Sequence, residues 1–190
     1  PCFTRLSRHT RADKSPMQRP PITINGAALN LSHLAPMKRM VTIELPPNNK
    51  KTVPIDFYFT SHCYSRRLKA GEQAPAGQLI REGSRKDPRN RVFDQTRYDL
   101  SKKLVKLLDD LIQTNGHVSK TKRHNFFRVT DDGTGTQYFI IMHAKKITEP
   151  NRPKSLEVVV ESAYPDDPNK PSPHANGGRR FGEMLGEAWI

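Results

Sequence analysis

The chain has 190 residues, 34% of them apolar and 16 of them proline, and its 32 Lys and Arg against 19 Asp and Glu leave a net charge of +13. One principal core with long connections is expected from that length and composition. No run approaches the roughly 18 consecutive apolar residues of a membrane span and the start of the chain has no apolar signal core, so a cytoplasmic protein is expected. The two cysteines, Cys2 and Cys63, exclude a disulfide framework and a cysteine-rich zinc site.

The positive balance points to a polyanionic partner, because a basic chain releases condensed counterions when it meets a phosphate backbone. Nucleic acid is the expected partner, RNA before DNA, with no membrane partner. The competing readings are a merely solvated basic surface and binding to acidic lipid.

Residues 1–20 are basic, polar and interrupted by proline, and they read as a flexible arm able to touch phosphates without folding first. Residues 21–65 hold the short β-branched or aromatic runs ITING, MVTIEL and VPIDFYFT between turn-formers, which predicts a β-rich subregion. At its end stands Thr60-Ser61-His62-Cys63-Tyr64-Ser65-Arg66. Neighbours on a strand point to opposite faces, so His62 and Cys63 form no dyad by adjacency alone. Basic neighbours would lower the thiol pKa and favour a nucleophilic or metal site, whereas a half-buried cysteine beside a hydrogen-bonded histidine is the structural alternative.

Residues 66–98 read as a basic connecting loop. Arg66, Arg67, Arg85, Lys86, Arg89 and Arg91 are its candidates for nucleic-acid contact. A helix follows over about residues 99–114, with Leu100, Leu104, Leu107, Leu108, Leu111 and Ile112 at helical spacing. Asp99 stands at the expected N-cap and Asn115-Gly116 at the left-handed end. The segment from Val118 to Arg128 carries Lys120, Lys122 and Arg123, suited to phosphates, and two phenylalanines suited either to base stacking or to a seat under the helix.

Three strands are predicted near residues 125–130, 137–147 and 155–164, joined at Asp131-Asp132-Gly133-Thr134-Gly135 and Asn151-Arg152-Pro153 as an antiparallel meander. The fold class is therefore α+β: one amphipathic helix packed on an antiparallel β-sheet, with a β-rich N-terminal subregion. Residues 99–165 form the core and residues 166–190 a C-terminal tail. Period-two alternation seats the helix on Tyr138, Ile140, Met142 and Ala144. It leaves Arg128, His143, Lys145 and Glu161 on the other face. RNA cleavage by the 2′-hydroxyl needs a base, an acid and a cation at phosphorus, and Glu, His, Arg and Lys fill those roles without metal or cofactor. The same residues also suit an ordinary solvated sheet face.

The order of helix and strands, closing in Val158-Val159-Val160-Glu161-Ser162-Ala163-Tyr164-Pro165, resembles the nuclease superfamily that includes barnase, EndoU, the colicin nuclease domains and the RelE toxins. The resemblance covers about residues 99–165. It implies a metal-independent ribonuclease of toxin or phage type, with Ser162 and Tyr164 as candidate site residues and an acidic inhibitor protein as a possible partner. The alternative is a non-catalytic nucleic-acid- or protein-binding module of phage or mobile-element origin. Strict alternation puts Ser162 and Tyr164 opposite Glu161, and only a β-bulge brings both sets to one face.

Overall fold

The computed structural model describes residues 22–84, 87–121, 125–130, 135–150, 153–167 and 172–190. The arm at residues 1–20, Arg85, Lys86, Lys122, Arg123 and the turn residues 131–134 and 151–152 lie outside them.

In chain order the strands are β1 Thr23–Ile24, β2 Ala27–Ala28, β3 Met37–Leu45, β4 Asn49–Phe59, β5 Ser65–Arg67, β6 Leu79–Ser84, β7 Asp87–Phe93, β8 His117–Lys120, β9 Asn125–Thr130, β10 Gln137–Ile147, β11 Ser155–Pro165 and β12 Gly178–Arg180. The α-helices are α1 Gln95–Ser101, α2 Leu104–Thr114 and α3 Phe181–Trp189, with 3-10 turns at Ser32–Leu34 and Ser61–Cys63.

The ITING run folds as the smallest hairpin. Asn25 and Gly26 both take positive φ, 51° and 81°, the conformation that a two-residue turn needs to match strand twist. The MVTIEL and VPIDFYFT runs become β3 and β4, which alternate buried Val41 and Ile43, and buried Val53, Ile55, Phe57 and Phe59, with more exposed residues. They are not a separate subregion. Both belong to a seven-stranded sheet of order β12-β8-β9-β10-β11-β4-β3, in which β4 pairs with β11 in parallel and every other neighbour is antiparallel.

The parallel ladder sets Ile55, Phe57 and Phe59 beside Leu156, Val158 and Val160, all six buried. Tyr138, Ile140 and Met142 on β10 complete this inner face, where Leu104, Leu108 and Leu111 of α2 and Phe181, Met184 and Leu185 of α3 join the same core. The predicted face for the helix is thus the observed one.

The expected single helix is corrected in two ways. It starts earlier, at α1, capped by Asp94, whose carboxylate accepts from Arg97 N–H at 3.0 Å. Asp99 lies inside α1 instead, paired with Lys102 at 2.7 Å. The helix also breaks at Lys102-Lys103. Ser101 Oγ donates back to the Tyr98 carbonyl at 2.6 Å, a bond that bends helices, and His33 Nε2 lies 2.8 Å from the same hydroxyl. Asn115 ends α2 in the left-handed conformation, as its position predicts.

A further correction is α3, which touches β3 at one edge of the sheet and β8 and β12 at the other. Six strand spacings of a flat sheet span about 29 Å, against a helix diameter of about 10–12 Å. The sheet therefore curls around α3. Gly182 and Gly186, one helical turn apart, rest on the Thr42 and Glu44 carbonyls of edge strand β3, and a Cβ at Gly186 would collide with the Glu44 oxygen. A covered edge is closed to pairing with another chain.

The basic connection also holds structure. β5, β7 and β6 form a three-stranded antiparallel sheet, and Ile24, Tyr64 and Ile80 make a second small core there with Leu29, Leu31, Phe93 and Tyr98.

Two outcomes test this fold. Helix propensity alone makes Gly186→Ala stabilising by about 1 kcal/mol, but overpacking against a backbone carbonyl costs about 1–3 kcal/mol. Urea unfolding is expected to show a net loss, and a variant as stable as the parent would remove α3 from that edge. Burial, and secondarily Lys102, lowers the His33 pKa from its ordinary 6.5. Below 6.5 the unfolded chain therefore binds more protons than the folded one, and stability contributed by neutral His33 is lost as the pH falls through that window. Thermal melts of the wild type and His33→Gln are expected to lie closer together at about pH 5 than at about pH 7.5.

Candidate functional site

β11 is buried at Leu156, Val158 and Val160, then at Ala163, so its alternation slips by one residue. The ladder with β10 shows why. Met142 faces Val160 and Ile141 faces Ser162, leaving Glu161 as the extra residue of a β-bulge. Thr60, just past the end of β4, holds the bulge: its N–H donates to the Val160 carbonyl at 3.1 Å and its hydroxyl to the Glu161 carbonyl at 2.6 Å.

The bulge turns Ser162 and Tyr164 to the face that carries Glu161. Cross-strand rows there read Arg128-Phe139-Tyr164, Phe126-Ile141-Ser162, His143-Val159-Tyr58 and Lys145-Glu157-Asp56. The two sets that strict alternation separates thus share one surface.

Not every candidate comes close to the others. His143 Nδ1 lies 3.1 Å from Glu161 Oε1. That nitrogen is buried and not aligned for a hydrogen bond, so the contact is one of proximity. Lys145 is engaged by Glu157 at 2.6 Å. Exposed Arg128 on β9 lies opposite Phe139, two same-face steps along β10 from His143, so its Cα is about 14 Å from that of His143. Phe139 lies between them and is buried, with its ring 5.8 Å from Tyr164 and 5.9 Å from Phe126. Tyr58 has its phenol pushed up, first by burial and then by Asp56 and Glu157, and it stays a hydrogen-bond donor at neutral pH.

At the outer end of β11 the turn Ser61–Cys63 packs against the strand. Cys63 is buried, its thiol 3.8 Å from the Val160 carbonyl, so it is no displayed nucleophile. His62 is half-buried, with Nε2 3.6 Å from Glu82 Oε2 on β6. Arg97 of α1 donates to the carbonyls of His62 at 3.1 Å and Ser65 at 3.0 Å, and its guanidinium lies 5.2 Å from the Tyr164 ring. Burial lowers the Arg97 pKa, while Asp94 opposes that shift.

Glu82 and Arg97 escape sequence reasoning. Glu82 falls in a charged stretch without strand periodicity, and Arg97 precedes the expected helix start. Asp94, a better-placed N-cap than Asp99, is the signal that reveals Arg97.

The expected phosphate-contacting residues divide. Arg67, Arg89 and Lys120 are exposed. Arg66 is held in a two-pronged pair by Glu72, whose carboxyl is lowered to about 2, first by that arginine and then by the Lys69 N–H. Arg91 is corrected: it is buried, and it donates to Ser65 Oγ at 2.7 Å and to the Ser65 carbonyl at 2.8 Å. Among the described residues, no three His, Cys, Asp or Glu side chains group so as to hold a metal ion, and no helix is long and apolar enough to cross a membrane.

The model of one family, the YjaZ family, matches residues 21–189. No curated protein and no solved structure matches the chain.

Arg97 clamps two carbonyls from a half-buried position, and hydrogen bonds to charged groups contribute about 1.5–3 kcal/mol. Arg97→Met is expected to lower unfolding free energy by about 2–3 kcal/mol. Exposed Arg67→Met is expected to change it by no more than about 0.5 kcal/mol. Equal effects in urea titrations would dismiss the clamp.

Proposed function

The chain belongs to the YjaZ family, and we propose that it binds RNA on the face of its large sheet that carries the Glu161 bulge and cleaves it there without a metal ion. The observation that carries this reading is the bulge itself, which gathers His143, Glu161, Ser162 and Tyr164 on one surface. Cleavage through the 2′-hydroxyl needs a group to take that proton while charge builds on the phosphate. His143 turns Nδ1 toward Glu161, which leaves Nε2 as the ring nitrogen a substrate can reach. Glu161 stabilises the charged ring once the proton has arrived, the part a carboxylate plays beside a catalytic imidazole. Ser162 and Tyr164 offer hydroxyl donors to phosphate oxygens, and Arg128 takes a neighbouring phosphate.

The carboxylates separate this reading from a binding module. Asp56, Glu157 and Glu161 share the face with Lys145 and His143. Lys38 and Lys145 neutralise Asp56 and Glu157, whereas Glu161 adds negative charge beside His143, for which a surface built only for affinity has no use. A carboxylate beside a histidine is useful in proton transfer.

The test is incubation of labelled single-stranded RNA with purified protein in excess chelator. Fragments ending in a 2′,3′-cyclic phosphate are expected. His143→Ala and Glu161→Gln should each lower the rate by about 10²–10⁴-fold with RNA affinity nearly unchanged. Salt-sensitive binding without cleavage would replace this reading with the module, and no binding at low salt would remove both.

A further inference from the structure

We infer that His62, held by Glu82, is the second proton-transfer group of this site, the acid that protonates the leaving oxygen. The inference rests on the ribonuclease reading, and it assigns a residue outside the part of the chain that resembles nucleases.

Four observations converge on His62. First, the turn that carries it is fastened to the bulge: Thr60, its N-cap, bonds the carbonyls of Val160 and Glu161 and accepts from His62 N–H at 3.2 Å. Second, Ser61 and Cys63 are buried on either side, so His62 alone among the three residues of the turn offers a reachable side chain. Third, the imidazole has a carboxylate partner from another sheet, Glu82 on β6, 3.6 Å away. Buried Arg91 approaches the same carboxylate to 4.0 Å and is itself fixed by Ser65. Fourth, Arg97 joins the His62 carbonyl to the Tyr164 ring, so the turn and the end of β11 share one cation.

The structural alternative is that His62 merely braces β6 against the turn. Bracing explains the contact with Glu82, and the same turn also gathers two arginines, buried Arg91 within 4.0 Å of Glu82 and half-buried Arg97 within 3.9 Å of Asp94. Negative charge that builds on a phosphate at this place would meet both guanidinium groups.

The step balances without a further reactant. A bond forms from the 2′-oxygen to phosphorus as the bond from phosphorus to the 5′-oxygen breaks. His143 takes the 2′-hydroxyl proton, and protonated His62 delivers its proton to the departing 5′-oxygen. The product is a 2′,3′-cyclic phosphate and a free 5′-hydroxyl.

The experiment compares two substrates of the full chain: a dinucleotide, whose 5′-alkoxide leaves poorly, and a nucleoside 3′-(4-nitrophenyl phosphate), whose phenolate leaves without a proton. His62→Ala is expected to lower kcat on the dinucleotide by about 10²–10³-fold and to leave the nitrophenyl ester within about threefold. His62→Gln keeps a donor toward Glu82 and should show the same split, which removes misfolding as an explanation. Equal loss on both substrates, or no loss on either, overturns the assignment while the ribonuclease reading stands. A wild type that cleaves neither substrate overturns both.

Discussion

The ladder between β10 and β11 steps from Ile141 facing Ser162 to Met142 facing Val160, and the character of the open face depends on the residue left over. Without that extra residue, Ser162 and Tyr164 would point into the core and Ala163 would lie outside. Two polar side chains would then compete with the helices for apolar space, at a cost for each that the register shift avoids. Buried Ala163 shows which arrangement prevails. The bulge therefore follows from core packing, and the clustering of polar groups on the other face is its consequence. Thr60 makes it durable by bonding the carbonyl of the bulged residue.

Thr60 is in place because β4 runs parallel to β11 and stops alongside Val160. Antiparallel neighbours follow short connections, but a parallel neighbour must come from elsewhere in the chain. Here it comes from the first third of the sequence. The N-terminal half is thus structural to the site: β4 supplies three of the six aligned core side chains, and the chain leaving it passes the bulge as the Ser61–Cys63 turn. α3 has the complementary role at the sheet edges, where Gly182 and Gly186 let a helix rest on strand carbonyls.

What could be read from the sequence was local. The leucine spacing of α2, the alternation of β10 and the Asn115 end of α2 are each set within a few residues, and each appears as expected. The helix begins at Asp94 rather than Asp99 because two polar caps compete and tertiary contacts of Arg97 favour the earlier one. The break at Lys102-Lys103 follows Ser101, whose hydroxyl meets His33 from far away in the chain. β6 and β7 were illegible because their residues are charged and their pairing is with each other, so no apolar alternation marks them. The bulge was legible as a condition only. The sequence shows that Glu161 and Ser162 conflict in parity, while the choice between faces belongs to Ala163 and the core.

Charge enters the structure at two scales that make different demands. The excess of 13 positive charges acts at long range and would attract a polyanion whatever its sequence, an effect that weakens as salt shortens the screening length. On the face that carries the bulge the signs are mixed: Lys38 faces Asp56 at 3.4 Å and Lys145 faces Glu157 at 2.6 Å, while Glu161 lies 3.1 Å from the His143 ring. Pairs at such range cancel at a distance and matter only to a group that comes into contact. A phosphate drawn in by the whole molecule would thus meet, at the bulge, polar groups whose own field is short-ranged. Under the proposed chemistry these two scales separate capture from reaction. Removing exposed arginines would slow the arrival of RNA, whereas altering the Glu161 neighbourhood would slow the cleavage of RNA already bound.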